Sequence, residues 1–214
     1  LSRSANAQVL HCRSYLAGLM GLAVKRLTGA RHIFDMRGFW PDERVDGGVW
    51  GKRSLQYRLF KTVERWLFLH TDHVVSLTQA GAREFRKFDY LQGRNLPVSV
   101  IPTCTNLNLF QPVKPTQSQP FTLGYVGSVG SWYMFDDVAR AVKILMDQRS
   151  DARFLAINKG GHDSIRKSLL EAGVDMGRVE IKEVPYSAVA TEVGRMDAGI
   201  FFYKPAWSKT ATCP

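Results

Sequence analysis

The sequence predicts an α/β protein with parallel sheets, and three observations support this class. Short apolar runs alternate with helical patterns along the whole chain, which is the order that βαβ units require. Polar or glycine-rich residues directly follow several of these runs, as they do at the carboxyl ends of strands in α/β domains. The segment 112–120 contains three prolines and no large apolar residue, so it is a linker candidate. We therefore predict two α/β domains, at residues 1–111 and 121–214, joined by this linker.

The first domain begins with a strand and a helix. Residues Val9–Cys12 have the pattern of the end of a buried strand, and Ser14 is a candidate N-cap for a helix over Tyr15–Leu27. One face of this helix is apolar and consists of Leu16, Leu19, Met20, Ala23, Val24 and Leu27. The remaining predicted elements are strand 32–35, loop 39–51, helix 55–69, strand 73–77, helix 79–87 with Thr78 as its cap, and strand 98–101. We expect the aromatic loop to be a lid or a substrate-facing loop, and Leu59, Val63, Trp66 and Leu67 to pack in the core.

The second domain opens with the sequence FTLGYVGSVGSWYMFDD at 121–137. Alternating apolar residues predict a strand up to Val126, and Gly127–Gly130 predicts a tight turn before a helix with Asp136 and Asp137 in its first turn. Small residues at such a turn let a phosphate approach backbone N–H groups, although turn geometry alone is the alternative explanation. The remaining predicted elements are strand 153–157, helix 163–172, strand 179–181, helix 186–196 and strand 198–203.

Composition limits the classes of function. The 214 residues carry a net charge of +10, with a pI near 9.7, which suits nucleic acid, an anionic membrane face or phosphorylated ligands. The cysteines Cys12, Cys104 and Cys213 have no metal-ligand spacing and predict free thiols in a reducing compartment. No Asp-x-Asp motif occurs, and Asp136-Asp137 is explained by the start of a helix, so we expect no metal.

Several segments resemble the retaining glycosyltransferases of family 4. VLHCRSYLAGLMGLAVKRLTG, HIFDMRGFWPDE and ERWLFLHTDHVVSLTQAGAREF are similar to the second half of the family's acceptor domain. VSVIPTCTNLNLFQP is similar to the interdomain hinge, with Thr103, Cys104 and Thr105 where the family has Asn-Gly-Val. FTLGYVGSVGSWYMFDDVARAV is similar to the first strand, turn and helix of the donor domain. The resemblance implies a GT-B fold of two Rossmann-like domains. We expect both to be incomplete, because the family's first strand would precede Leu1 and its acidic E-x₇-E segment would follow Pro214.

The resemblance also implies a function. It implies transfer of a sugar from a nucleotide-sugar donor to a glycan or lipid-linked acceptor with retention of configuration, as in polysaccharide biosynthesis. The nucleotide-sugar is a substrate, so no cofactor is expected. We expect a cytoplasmic protein with peripheral contact to an anionic membrane, which the basic charge would favour, and no nucleic acid as partner.

The implied catalytic residues are His11 and Arg13, which would line the site near the transferred sugar; a buried histidine bonded to the backbone is the alternative for His11. Acceptor contacts are assigned to Asp35, Arg37 and Gly38, with a local Asp35–Arg37 ion pair as the alternative. Donor contacts are assigned to Gly127, Ser128, Gly130, Lys159, Gly160, Lys204 and Lys209. The lysines are included because the turn 128–135 lacks the cations that many family members use to bind the pyrophosphate. The segment Glu183–Tyr186 would lie by the nucleotide base.

Three alternatives remain open. A basic α/β protein that binds nucleic acid would show binding that weakens steeply with salt and no preference for nucleotide-sugars. A chain that lacks part of the site would have the fold without activity. Other GT-B proteins epimerise nucleotide-sugars. The sequence does not identify the sugar, the base or the acceptor.

Overall fold

The computed structural model describes residues 7–111, 120–130 and 132–212, which form two compact units. The first unit runs to Cys104 and also includes the residues from Pro205 onward, whereas the second is Thr105–Lys204. Each unit contains a four-stranded parallel sheet, which confirms the predicted α/β class. Of the predicted linker 112–120, only Pro120 lies within the described residues.

The first unit has a sheet with the strand order β1-β2-β3-β4. Its strands are β1 (Val9–Arg13), β2 (Arg31–Asp35), β3 (His73–Ser76) and β4 (Val98–Val100). Its helices are α1 (Tyr15–Thr28), α2 (Trp40–Asp46), α3 (Leu55–His70) and α4 (Gln79–Arg86), with short 3-10 turns at Asp89–Leu91 and Trp207–Ala211. Thr78 caps α4 as predicted, because its side-chain oxygen accepts a hydrogen bond from the N–H of Gly81.

Helix α2 forms where a loop was predicted over 39–51, so that prediction is wrong for these residues. Pro41 in the first turn, followed by Asp42 and Glu43, favours the start of a helix. Phe39, just before the helix, is fully buried and stacks on Trp207 with 4.4 Å between ring centroids. The aromatic residues therefore pack this segment into the core.

The predicted inner face of α1 in fact points to solvent. Leu16, Met20 and Leu27 are 58%, 71% and 71% exposed, whereas the buried residues of the helix are Tyr15, Gly18, Gly21 and Leu22. Glycine allows close packing here, because a Cβ atom at Gly21 would collide with Cys12 and His32. Strand β1 is at the edge of the described sheet and half exposed, not buried as predicted.

The second unit has a sheet with the strand order β7-β6-β5-β8. Its strands are β5 (Thr122–Val126), β6 (Arg153–Ile157), β7 (Val179–Lys182) and β8 (Ala198–Gly199). Its helices are α5 (Phe135–Gln148), α6 (His162–Glu171) and α7 (Tyr186–Val193). Strand β8 is shorter than the predicted 198–203, because the chain after Ile200 leaves the sheet and runs beside residues 132–134.

The C-terminal residues pack on the first unit, whereas the predicted second domain extended to residue 214. The hydroxyl of Thr78 donates to the carbonyl of Thr210 at 2.9 Å, and the indole N–H of Trp207 donates to Glu84 at 3.2 Å. Ser208 and Ala211 are buried there. Burial of these residues, together with the Phe39–Trp207 stack, assigns the segment to the first unit.

Candidate active site

Three of the predicted residues meet at the carboxyl ends of β1 and β2, and we call His11, Arg13 and Asp35 the strand-end cluster. The parallel register places Arg13 beside Asp35. One carboxylate oxygen of Asp35, Oδ2, lies 3.5 Å from His11 Nε2 and 3.9 Å from Arg13 Nε. The Asp35 side chain is 8% exposed, whereas those of His11 and Arg13 are 55% and 58% exposed. A nearly buried carboxylate therefore holds two accessible, positively charged or protonatable groups.

The two alternatives proposed for these residues are not what the structure shows. His11 is exposed and faces Asp35, so it is not a buried histidine satisfied by the backbone. Among the ion pairs of the described residues, Asp35 contacts His11 and Arg13, and the exposed Arg37 is not its partner. Arg37 remains available to a ligand.

The backbone around the cluster is strained at two positions. Ser14 and Arg37 have φ angles of 75° and 61°, a region that residues other than glycine rarely adopt. The N–H of Ser14 donates to the carbonyl of Asp35 at 2.9 Å, which ties the end of β1 to the end of β2. Such strain persists where the surrounding structure enforces it, and it is frequent at functional sites.

Gly38, three residues after β2, is buried and is contacted by the side chains of Tyr15 and Glu43. Its carbonyl accepts a hydrogen bond from the hydroxyl of Tyr15 at 3.3 Å. A Cβ atom at this position would lie 2.8 Å from Glu43 Oε1, so the carboxylate of α2 packs directly on the glycine. Gly38 therefore fixes the path of the chain after β2, and its side-chain-free surface is turned toward the protein.

A buried polar network that was not predicted supports Gly38. Tyr15 also donates to Glu64 Oε2 at 2.6 Å, and the Glu64 side chain is fully buried. Lys61 pairs with Glu64 and, at 3.1 Å, with Asp42 of α2, to which Tyr57 donates at 2.8 Å. Burial raises the pKa of Glu64, against the opposing effect of Lys61, and burial with the nearby Glu64 raises the pKa of Tyr15 well above its ordinary value.

In the second unit, two glycine turns follow neighbouring strands, Gly127–Gly130 after β5 and Lys159–Gly161 after β6. Gly127, Gly130 and Gly160 have φ angles of 141°, 101° and 86°, which side chains rarely tolerate. Apart from each glycine and its two chain neighbours, no atom of the described residues lies within 4 Å of the position that a Cβ would take at any of the three. The turns therefore present open backbone on their outer surface, as a phosphate site needs.

Asn158 joins the two glycine turns and was not predicted. Its Nδ2 donates to the carbonyl of Gly127 at 2.6 Å, and its Oδ1 accepts from the N–H of Gly161 at 2.5 Å. The residue is 4% exposed, and its own carbonyl lies 2.8 Å from His162 Nε2. One buried amide therefore fixes the distance between the turns.

Several donors at these turns are free to bind a ligand. Within residues 120–130 and 132–212, the backbone N–H groups of Ser128, Val129, Lys159 and Gly160 donate to no acceptor. The carbonyl of Ser128 also accepts a hydrogen bond from the hydroxyl of Tyr125 at 2.6 Å, which anchors the turn to strand β5. The side chains of Lys159 and Lys204 are exposed. Lys209, in contrast, belongs to the first unit, where its Nζ lies 3.5 Å from Glu43 and is only 15% exposed.

The strand order locates a crevice in the second unit. From β5 the chain adds β6 and then β7 on one side, and it later returns to add β8 on the other side of β5. Ligands of open α/β sheets bind outside the carboxyl ends of the strands where the order reverses, which here is between β5 and β8. The turn Gly127–Gly130 and the segment Ile200–Lys204 both begin at this point.

Among the described residues, no group of three His, Cys, Asp or Glu side chains is placed to hold a metal ion. The expectation that the protein uses no metal stays a prediction. None of the described helices is long and apolar enough to cross a membrane.

One protein family model matches the first half of the chain, which lies in the first unit. Residues 1–104 match the model of the family described as "Glycosyl transferase 4-like domain". No curated protein sequence matches the chain.

Solved structures match over most of the chain. TarM has a TM-score of 0.63 at 8% identity, over 90% of this chain and 36% of its own. The lipopolysaccharide outer core galactosyltransferase WaaB has a TM-score of 0.56 at 13% identity, over 94% of this chain and 52% of its own. Anabaena Alr3699/HepE in complex with UDP-glucose has a TM-score of 0.59 at 12% identity, over 90% of this chain and 52% of its own. The chain therefore spans about a third to a half of these structures, and it shares the fold of GT-B glycosyltransferases.

Proposed function

Because residues 1–104 match the family model of a glycosyl transferase 4-like domain and the chain has the GT-B fold, we propose that the protein transfers a sugar from a nucleotide-sugar to a glycan or lipid-linked acceptor with retention of configuration. The second unit would bind the donor, and the first unit would contribute the acceptor side. The roles of the individual site residues are part of this proposal.

The observation that carries the proposal is the pair of linked glycine turns, of which the first, Gly127–Gly130, lies at the reversal of strand order. The free N–H groups of Ser128, Val129, Lys159 and Gly160 suit the oxygens of a diphosphate, and Lys159 and Lys204 add positive charge nearby. When the bond between the sugar and the diphosphate breaks, negative charge grows on the diphosphate. Fixed donors and cations lower the energy of that state more than that of the intact donor.

The strand-end cluster would act on the transferred sugar and the acceptor. Asp35 holds His11 and Arg13 in place, and both are exposed enough to reach a substrate. His11 would orient the sugar or stabilise its developing charge, and Arg37 would bind an anionic group of the acceptor. In a retaining transfer, an oxygen of the departing diphosphate can take the proton of the acceptor hydroxyl, so no side chain is required as the base.

The charge of +10 supports a further part of the proposal, which is contact with an anionic membrane that carries a lipid-linked acceptor on its cytoplasmic face. Sedimentation with vesicles of phosphatidylcholine and phosphatidylglycerol tests this part. Binding that high salt releases is the expected result, and equal recovery with pure phosphatidylcholine vesicles would contradict it.

Isothermal titration of the chain with UDP, GDP and a short RNA at two salt concentrations tests the donor site. We expect saturable binding of one nucleoside diphosphate. RNA binding alone, with a steep salt dependence, would instead favour a nucleic-acid-binding protein. The absence of binding to either nucleotide would show that these residues do not form a donor site by themselves.

A further inference from the structure

Three aromatic residues lie next to the first glycine turn, and we call Tyr133, Phe201 and Tyr203 the aromatic ledge. The rings of Tyr133 and Tyr203 are 5.0 Å apart with 31° between their planes, and their hydroxyls are 3.5 Å apart. Phe201 meets Tyr203 edge to face at 5.6 Å. The three rings therefore form one connected surface.

The ledge is attached to the glycine turn through the backbone. The N–H of Met134 donates to the carbonyl of Phe202 at 3.0 Å, and the N–H of Lys204 donates to the carbonyl of Trp132 at 2.9 Å. Tyr133 is also bridged to Gly130 on one side and to Tyr203 on the other. The position of the ledge relative to the turn is therefore fixed, and it lies at the β8 side of the reversal point.

One ring of the ledge is exposed and the other two are half-buried. Phe201 is 46% exposed, whereas Tyr133 and Tyr203 are of intermediate exposure. Outside the ledge, Phe202 is 40% exposed and Val126 at the end of β5 is 49% exposed. The core of the second unit is formed by other residues, among them Tyr125 and Phe135, which are at most 6% exposed. An exposed aromatic ring on a fixed aromatic cluster, beside open backbone donors, is a feature of ligand-binding sites.

The chemistry of the ledge fits a sugar ring. A hexose has an apolar face of C–H groups that can pack on an aromatic ring, and hydroxyl groups at its rim that need hydrogen-bond partners. The ledge presents the exposed Phe201 ring, its two tyrosine hydroxyls lie 3.5 Å apart, and Lys204 follows Tyr203 directly in the chain. A diphosphate bound at the glycine turn would have this surface next to it on the β8 side.

We propose that the aromatic ledge is the subsite for the transferred sugar of the donor. The inference rests on the proposed function, because the diphosphate must bind at the glycine turns for the sugar to reach the ledge. It adds residues that the sequence did not indicate, and it assigns to them the preference for a nucleotide-sugar over the free nucleotide.

Titration of the chain with UDP and with UDP-glucose separates the sugar contact from the rest of the donor. In Phe201→Ala and Tyr203→Ala, we expect the affinity for UDP-glucose to fall about three- to tenfold while the affinity for UDP stays the same. Phe201→Leu keeps apolar bulk and loses the ring, so it should show the same selective loss without a packing defect. Leu170→Ala is the control, since Leu170 is a 62% exposed apolar residue of the same unit, on α6, and has no proposed role in binding.

Each other outcome overturns the inference in a recognisable way. Equal weakening of UDP and UDP-glucose in the ledge variants would mean that the base or ribose packs there. Unchanged affinities for both would mean that the ledge is not part of the donor site. If the unmodified chain binds neither compound, the proposed donor site fails, and this inference fails with it.

Discussion

Removal of one oxygen atom, in Tyr15→Phe, should destabilise the first unit by about 2–3 kcal/mol. The Tyr15 hydroxyl is buried and donates to the fully buried Glu64 at 2.6 Å. A hydrogen bond to a charged group contributes about 1.5–3 kcal/mol, and its loss leaves a buried carboxylate oxygen without that partner. Tyr15 also reaches the carbonyl of Gly38 at 3.3 Å, so the same change loosens the chain after β2.

Urea unfolding followed by tryptophan fluorescence measures this loss. Trp40 lies 5.9 Å from Tyr15 between ring centroids and reports on the same region. Tyr90→Phe is the matched control, because among the described residues the Tyr90 hydroxyl is buried and has no hydrogen-bond partner. Loss of the Tyr90 hydroxyl should leave the free energy of unfolding unchanged or raise it. The double variant Tyr15→Phe/Glu64→Gln should be less destabilised than the sum of the two single changes, because both remove the same interaction.

A result within about 0.5 kcal/mol of the Tyr90→Phe control would refute this account of the network. It would mean that Glu64 is satisfied by Lys61 alone and that Tyr15 contributes only its ring. A loss for Tyr15→Phe that is fully additive with that of Glu64→Gln would mean that the two residues act independently.

Two further predictions concern the second unit. Asn158→Asp replaces the N–H donor that faces the Gly127 carbonyl with an oxygen, and it adds a negative charge next to the turns. The affinity for UDP should therefore fall about tenfold or more in a titration. Asn106→Asp, at an exposed position, is the control and should leave the affinity unchanged. Arg195 and Lys182 lower the pKa of Glu180 from 4.5 to about 2. Ionised Glu180 therefore stabilises the folded state above about pH 4.5, and this contribution is lost as the pH falls toward 2. Urea unfolding at about pH 6 and about pH 3 should therefore show a smaller acid-induced loss for Arg195→Met than for the unmodified chain, and equal losses would contradict it.

Local patterns predicted most of the secondary structure, because the two-residue period of a strand and the 3.6-residue period of a helix can be recognised within a few neighbouring residues. Strand β6 has the predicted bounds, and α5 begins with Asp136 and Asp137 in its first turn. The alternation of strands and helices was sufficient to predict parallel sheets, since a crossover helix returns the chain in the same direction. The strand-end cluster was also predictable in outline, because parallel neighbours bring the ends of β1 and β2 together.

The inner faces of helices were predicted less well, because the largest apolar residues are not always the buried ones. In α1, Gly18 and Gly21 are buried together with Leu22, whereas Leu16 and Leu27 are exposed, and the close approach at the glycines depends on residues that are distant in sequence. In α3 the buried positions are Glu64, Leu67 and Phe68, while Leu59 is 60% exposed. A charged residue at an inner position breaks the apolar pattern, and only the contacts with Tyr15 and Lys61 explain why it is tolerated.

The glycine turns of the second unit show what a local sequence pattern cannot predict. Gly127 and Gly130 mark the first turn, but a βα turn with two glycines is common, and its position in the sheet decides whether a ligand can use it. That position depends on where β8 pairs, and the pattern that predicts a strand at 198–203 does not indicate that β8 pairs with β5. Once β8 is placed beside β5, the turn lies at a reversal of strand order, Asn158 links it to the second turn, and Tyr133 meets Tyr203 beside it. The site is therefore a property of the strand order, and the residues that complete it come from three separate segments of the chain.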